Sequence, residues 1–143
     1  MAYAIFWNEE LFRIAENDIQ KDNLNISYDI YNLQTITSEQ FNKLKKERAT
    51  ASFNNNTVVV TDLTYKQTFN QEKAEHDKTR VMQQINLFLD NNNSSHAMYN
   101  ICQNYKQVLE SFDYSTIVEN EDKTWGEYCD ENSIEYLNVR QIP

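Results

Sequence analysis

The chain has 143 residues, and among them are one glycine, Gly126, one proline, Pro143, and nineteen asparagines. Backbone reversals need residues that tolerate positive φ, and after glycine the best of these is asparagine. Turns are therefore expected at asparagine, as in "FNNNT" and "LDNNNSS". A chain with one glycine also lacks the means to build a phosphate loop, a dinucleotide-binding turn or a nucleophile elbow. Any function must come from regular elements joined by asparagine turns.

Hydrophobic periodicity divides the chain in three. "YAIFWNEELFRIA" reads as a hairpin with strands near 3–7 and 11–15. Asn17 or Asp18 is placed to cap a short helical turn that Ile19 and Leu24 pin to the sheet. A third strand is expected over 28–36, running into "ITSEQF". There Thr37 and Gln40 have capping-box spacing, and Ile36 and Phe41 have hydrophobic-staple spacing, for a helix over about 38–48. "TASFNNNTVVVTDLT" predicts a second hairpin, with strands near 50–53 and 57–61. Beyond Leu63 the period becomes helical. One long helix is expected over 64–89 and a second over 96–112, capped by Ser94 or Ser95 and antiparallel to the first. "TWGEYCDEN" predicts a short helix with Asp122 and Thr124 as caps, and the last residues an edge strand or an ordered tail.

The expected fold is thus α+β. Residues 1–62 form a small antiparallel or mixed sheet with one helix, 63–113 a helical hairpin, and 114–143 an acidic segment with a short helix and tail. The acidity of that last segment is a matter of distribution. Residues 1–62 carry six basic and nine acidic side chains, 63–113 five and six, and 114–143 two and seven.

Net charge is −9, which opposes binding to a phosphate backbone, so no nucleic acid is expected as a partner. No segment has the apolar length of a membrane span, so no membrane partner is expected either. The opening "MAYAIFWNEEL" lacks the basic start of a leader, so Cys102 and Cys129 are expected to be reduced core residues.

Four groups of residues have side chains that could carry chemistry. Glu72, Glu75, His76 and Asp77 have helical spacing for a metal site, but His96 is expected at the far end of the helix, and the group reads as a solvated face. The acidic run from Glu119 to Glu131 does not follow a calcium-loop pattern. Cys102 falls mid-helix on an apolar face, where a thiol is inert. Lys43, Lys45, Lys46 and Arg48 spread around their helix and complement its dipole. No catalytic residue, metal or cofactor is assigned, and no enzyme activity is expected.

The polar first half of the 64–89 helix then needs a geometric reason. It is expected to project past its shorter partner or to lie beside a second subunit. Aromatic side chains point the same way, because they exceed what a small core buries and are favoured at interfaces. The candidate interface residues are Tyr3, Trp7, Tyr28, Tyr31, Tyr65, Phe69, Tyr99, Tyr114 and Trp125.

Three stretches, "AENDIQKDNLNIS", "ITSEQFNKLK" and "KTWGEYCDENSIEYLNVRQIP", resemble small accessory proteins of tailed bacteriophages, especially those of marine bacteria. The resemblance implies a virion protein of the head decoration, neck or tail, whose partners are other virion proteins or further copies of itself. It also implies, as an alternative, a protein that assists tail-fibre assembly. Apart from the resemblance, the acidic composition is equally compatible with a soluble binding module, such as an assembly chaperone or an inhibitor of a host factor. Tail-fibre assembly proteins carry glycine and proline in their strand turns, and this chain departs from that pattern.

Overall fold

The computed structural model describes residues 1–143. Five strands form one antiparallel sheet: β1 (Ala2–Trp7), β2 (Glu10–Ala15), β3 (Tyr31–Ile36), β4 (Ala49–Asn54) and β5 (Thr57–Asp62). Their order across the sheet is β3-β1-β2-β4-β5. The helices are α1 (Asp18–Asp22), α2 (Ser38–Lys45), α3 (Gln71–Asp90), α4 (Tyr99–Ser111) and α5 (Trp125–Glu131). The fold is α+β, with the sheet antiparallel throughout.

Asparagine does take the turns. Positive φ occurs at Asn8, Asn25, Asn55 and Asn56. Asn55 and Asn56, at φ 51° and 58°, form the two-residue loop between β4 and β5, and two left-handed residues match the right-handed twist of a hairpin. The other two positive-φ residues, Glu47 and Ser133, each follow a helix end. Glu47 N–H donates to Leu44 O and Arg48 N–H to Lys43 O, while Ser133 N–H donates to Asp130 O and Ile134 N–H to Cys129 O. Both are Schellman closures built without the usual glycine.

The α2 start follows its sequence signature. Thr37 Oγ1 accepts from Gln40 N–H, Gln40 Oε1 accepts from Thr37 N–H, and Ile36 and Phe41 are both buried. Asn17 caps α1, but Ile19 is 67% exposed and only Leu24 anchors that turn. A five-residue helix presents one narrow face, and here Leu24, just past its end, fills the space.

β3 starts at Tyr31 rather than at residue 28, because 28–30 form a turn, and α2 stops at Lys45 rather than 48, because Glu47 is left-handed. Three further features differ from expectation. The helix expected from residue 64 begins at Gln71, because Asn70 accepts from Lys73 N–H and stops it there. The chain before it is extended, and Phe69 and Asn120 exchange two backbone hydrogen bonds of 2.8 Å. Helix α4 begins at Tyr99 and has no side-chain cap. Ser95 is held instead by Asn93 in a local turn, and His96 Nδ1 accepts from Met98 N–H. The tail adds no strand. Asn138 and Gln141 cap a 3-10 turn at Val139–Gln141, and Gln141 and Ile142 are buried.

The polar half of α3 does not project as a free arm: one side of it packs on the chain's own C-terminal segment, and Gln71, Glu72, Lys73, Glu75 and His76 stay exposed on the other. Its Ala74 is fully buried, and the Lys78 ammonium lies 5.1 Å from the centre of the Tyr114 ring. Arg80 joins Glu47 at 2.7 Å and Asp77 at 3.3 Å, which ties α3 to the end of α2. The surplus length of α3 is covered on its buried side by the C-terminal segment of the same chain.

The largest apolar core lies among α3, α4, α5 and the tail, and includes Phe69, Ile85, Met98, Tyr105, Leu109, Trp125 and Ile142. A second packs α2 onto one sheet face through Phe6, Ile14, Phe41 and Leu44, and a third covers the other face through Tyr3, Ile5, Ala15 and Leu24.

The C-terminal segment joins these layers at the end of α2. A helix end leaves carbonyls without partners, and here other parts of the chain supply the donors. Asn138 Nδ2 donates to Lys45 O at 2.7 Å, Thr124 Oγ1 to Lys46 O at 2.7 Å and Gln67 Nε2 to Glu47 O at 3.2 Å. Arg48 bonds Asp122 and Glu127, both at 2.8 Å, and Lys46 bonds Asp130 at 3.0 Å. The basic run thus meets the acidic segment directly. Thr124 caps α5 as expected, whereas Asp122 serves as a partner of Arg48. Gly126 lies at this contact, where a Cβ would stand 3.2 Å from Lys46 Cα and 2.9 Å from the Tyr136 ring. The lone glycine is required by close approach, and its φ is not positive.

Candidate interaction surface

β1 and β2 pair with a bulge. Ile5 opposes Arg13 and Phe6 opposes Leu11, so Phe12 is an extra residue. A bulge re-aims side chains, and this one places Phe12 beside Arg13 on one face of the sheet. Phe12 stacks on Tyr31 at a centroid distance of 4.7 Å, and the Arg13 guanidinium sits 4.1 Å from the centre of the Phe12 ring. Trp7 is directly across from Tyr31 in the β1–β3 register, so it shares that face. Trp7 is 53% exposed, and the turn into β3 adds Tyr28 at 48% and Ile30 at 63%. Trp7, Phe12 and Tyr31 thus share one end of a sheet face, and Tyr28 and Ile30 are exposed in the turn that leads into β3. Arg13 fixes the border of this patch, because its Nε donates to Ile142 O at 2.9 Å.

The nine candidate interface residues separate accordingly. Trp7 and Tyr31 come together on the sheet face, and Tyr28 is exposed in the turn before β3. Tyr65 is 64% exposed but sits apart, before α3, and Tyr99 is half-buried on α4. Tyr3, Phe69, Tyr114 and Trp125 are buried in the chain's own core. They are thereby withdrawn from any surface of the folded chain. Phe69, Phe112, Tyr114, Trp125 and Tyr128 form one aromatic cluster, with Trp125 donating to Tyr105 Oη at 3.0 Å. Phe12, Arg13 and Ile30 complete the patch and carried no sequence signal, since "ELFRIA" reads as an unbroken strand.

The side chains that could carry chemistry are dispersed. Glu72, Glu75 and His76 line a shallow hollow beside residues 65–70, and Asp77 points away to Arg80. No three such side chains are placed to hold a metal ion. Burial pushes Asp77 above the usual carboxylate range, and nearby Glu47 adds to the effect. Cys102 and Cys129 are fully buried free thiols. Burial pushes both up to about 12, so at neutral pH they are protonated.

Between β2 and β4, which pair only at Glu10 and Ser52, the sheet opens into a cleft of about 430 Å³. Its guanidinium groups are already engaged: Arg140 donates to Leu11 O at 2.6 Å and Arg80 holds Glu47. The cleft is braced by the chain's own groups. No protein-family model matches the chain, and no curated protein or solved structure matches it either.

Proposed function

We propose that the chain is a non-enzymatic structural protein of a tailed-phage virion, in the head decoration, neck or tail, acting by protein–protein packing. The observation that carries the packing role is the end of the sheet where Trp7, Tyr28 and Ile30 are exposed beside the half-buried stack of Phe12 on Tyr31. Aromatic side chains beside an arginine are the usual anchors of protein interfaces. The patch is rigid, because three of its members lie on paired strands. Its partners would be other virion proteins or further copies. The assignment to a particle rests on the likeness of the three stretches quoted above.

Mass spectrometry of purified particles of the encoding phage tests the reading. A fixed copy number relative to the major capsid protein is expected. Recovery only as a free protein bound to a non-particle partner would favour an assembly chaperone or host-factor inhibitor and overturn the proposal.

A further inference from the structure

The outermost strand, β5, has no neighbour along its free edge. Unpaired strand edges in natural proteins are protected by lysine, proline, bulges or a covering element. Over Thr57-Val58-Val59-Val60-Thr61 β5 has none of these: its one charge, Asp62, stands at the strand's last position, paired with Lys43, and the pairing with β4 is continuous from Asn54↔Thr57 to Ala49↔Asp62.

The direction of its backbone groups follows from the hairpin. Asn54 and Thr57 close the two-residue turn, so Thr57, Val59 and Thr61 exchange hydrogen bonds with β4. Val58, Val60 and Asp62 turn their N–H and C=O groups outward.

The five residues from Thr57 to Thr61 read the same in both directions. An antiparallel partner with the same sequence, centred on Val59, therefore sets Thr57 against Thr61, Val58 against Val60 and Val59 against Val59. In that register the Val58–Val60 pairs on either side of the centre meet with outward backbone groups on both strands, so they form hydrogen-bonded pairs. A centre shifted by half a residue opposes an outward group to an inward one and forms no ladder. Every cross-strand pair from Thr57 to Thr61 is β-branched on β-branched, the kind that stabilises sheets.

Charge selects the same edge. With a net charge of −9, two copies repel over most approaches, but residues 54–61 carry no charge. In the Val59-centred register Asp62 lies opposite Asn56, so no like charges meet.

We infer that β5 pairs antiparallel with β5 of a second copy of this chain, giving a two-fold dimer with one continuous ten-stranded sheet. The interface is isologous, as expected for the commonest oligomers. This goes beyond the particle reading and does not depend on it. A β5 dimer absent from virions would end that reading and leave this one intact.

Single-cysteine variants of the full chain report the register. Val59 is 45% exposed and meets its own copy in a non-hydrogen-bonded pair. There the Cα atoms lie about 4.5 Å apart, within disulfide reach. Val59→Cys is expected to give a covalent dimer on a non-reducing gel after mild oxidation. Thr61→Cys, which faces Thr57 of the other copy, is expected to remain uncrosslinked. Cys102 and Cys129 are fully buried and do not compete. Light scattering should give twice the chain mass for the wild type and the single-chain mass for Val59→Lys, whose far-UV circular dichroism stays unchanged. A monomeric wild type, a dimeric Val59→Lys, or equal crosslinking of the two cysteine variants would overturn the inference.

Discussion

Gly126→Ala separates local helix propensity from close packing. Gly126 is the second residue of α5, a helix whose capping box is intact. By propensity alone, alanine there would stabilise the chain by up to about 1 kcal/mol. The contacts predict the opposite sign. The new Cβ would stand 2.9 Å from Tyr136 Cε1 and 3.2 Å from Lys46 Cα. Carbon pairs pack at about 3.5–4.0 Å, so the two contacts are roughly 0.6 and 0.3 Å too short at best. The ring can give way. The Lys46 backbone cannot move alone, since its carbonyl holds Thr124 at 2.7 Å. Overpacking of this kind costs about 1–3 kcal/mol. Net of the full propensity gain the range falls to about 0–2 kcal/mol, and because two contacts are short at once, one of them to fixed backbone, its upper half of about 1–2 kcal/mol is expected. For a domain of this size that is a fall in Tm of about 2–8 °C. Thermal unfolding followed by circular dichroism reads it directly, and an unchanged or higher Tm would show that α5 does not press on the end of α2.

Tyr105→Phe removes the acceptor of the buried Trp125 indole N–H. The unpaired donor is expected to cost about 1–3 kcal/mol in urea unfolding, and a neutral result would refute the bond. Ser133→Gly relieves a left-handed residue at φ 54° in the closure after α5. A gain of about 0.5–1 kcal/mol is expected, and destabilisation would count against that geometry. Hydrogen bonds from Arg48 hold Asp122 below the usual carboxylate range. Glu127 is also held low, because bonds from Arg48 and Thr124 outweigh the opposing effect of burial. Groups depressed on folding stabilise the native state above their unfolded pKa, near 4, and lose that contribution as pH falls through the folded values. Stability should therefore decline below about pH 4, and Arg48→Met should flatten that decline. An identical pH profile for the variant would contradict the pairing.

The local signals that could be read from the sequence all act over short spans. Thr37 with Gln40, Asn17, Thr124, and the asparagine pair at 55–56 each act within a few residues, and each holds in the structure. What could not be read depends on distant contact. Phe69 looked helical from its spacing, but its extended backbone pairs with Asn120, some fifty residues on. Tyr114 and Trp125 exceed what a small core is expected to bury, yet both are buried in the largest core, with Phe112 and Tyr128 packed against it. The bulge that brings Phe12 onto Tyr31 is set by the register of β1 with β2, which no single strand encodes. The acidic excess of residues 114–143 was visible, but its match to Lys46 and Arg48 needed the fold.

The account is tested most directly by removing the exposed patch without disturbing the core. Trp7→Ala combined with Ile30→Ala changes two side chains that are more than half exposed. Quantitative mass spectrometry of purified particles should show the double variant depleted to background while its circular dichroism and Tm match the wild type. Incorporation of a folded double variant at the wild-type copy number would contradict the claim that this patch holds the chain to its partners.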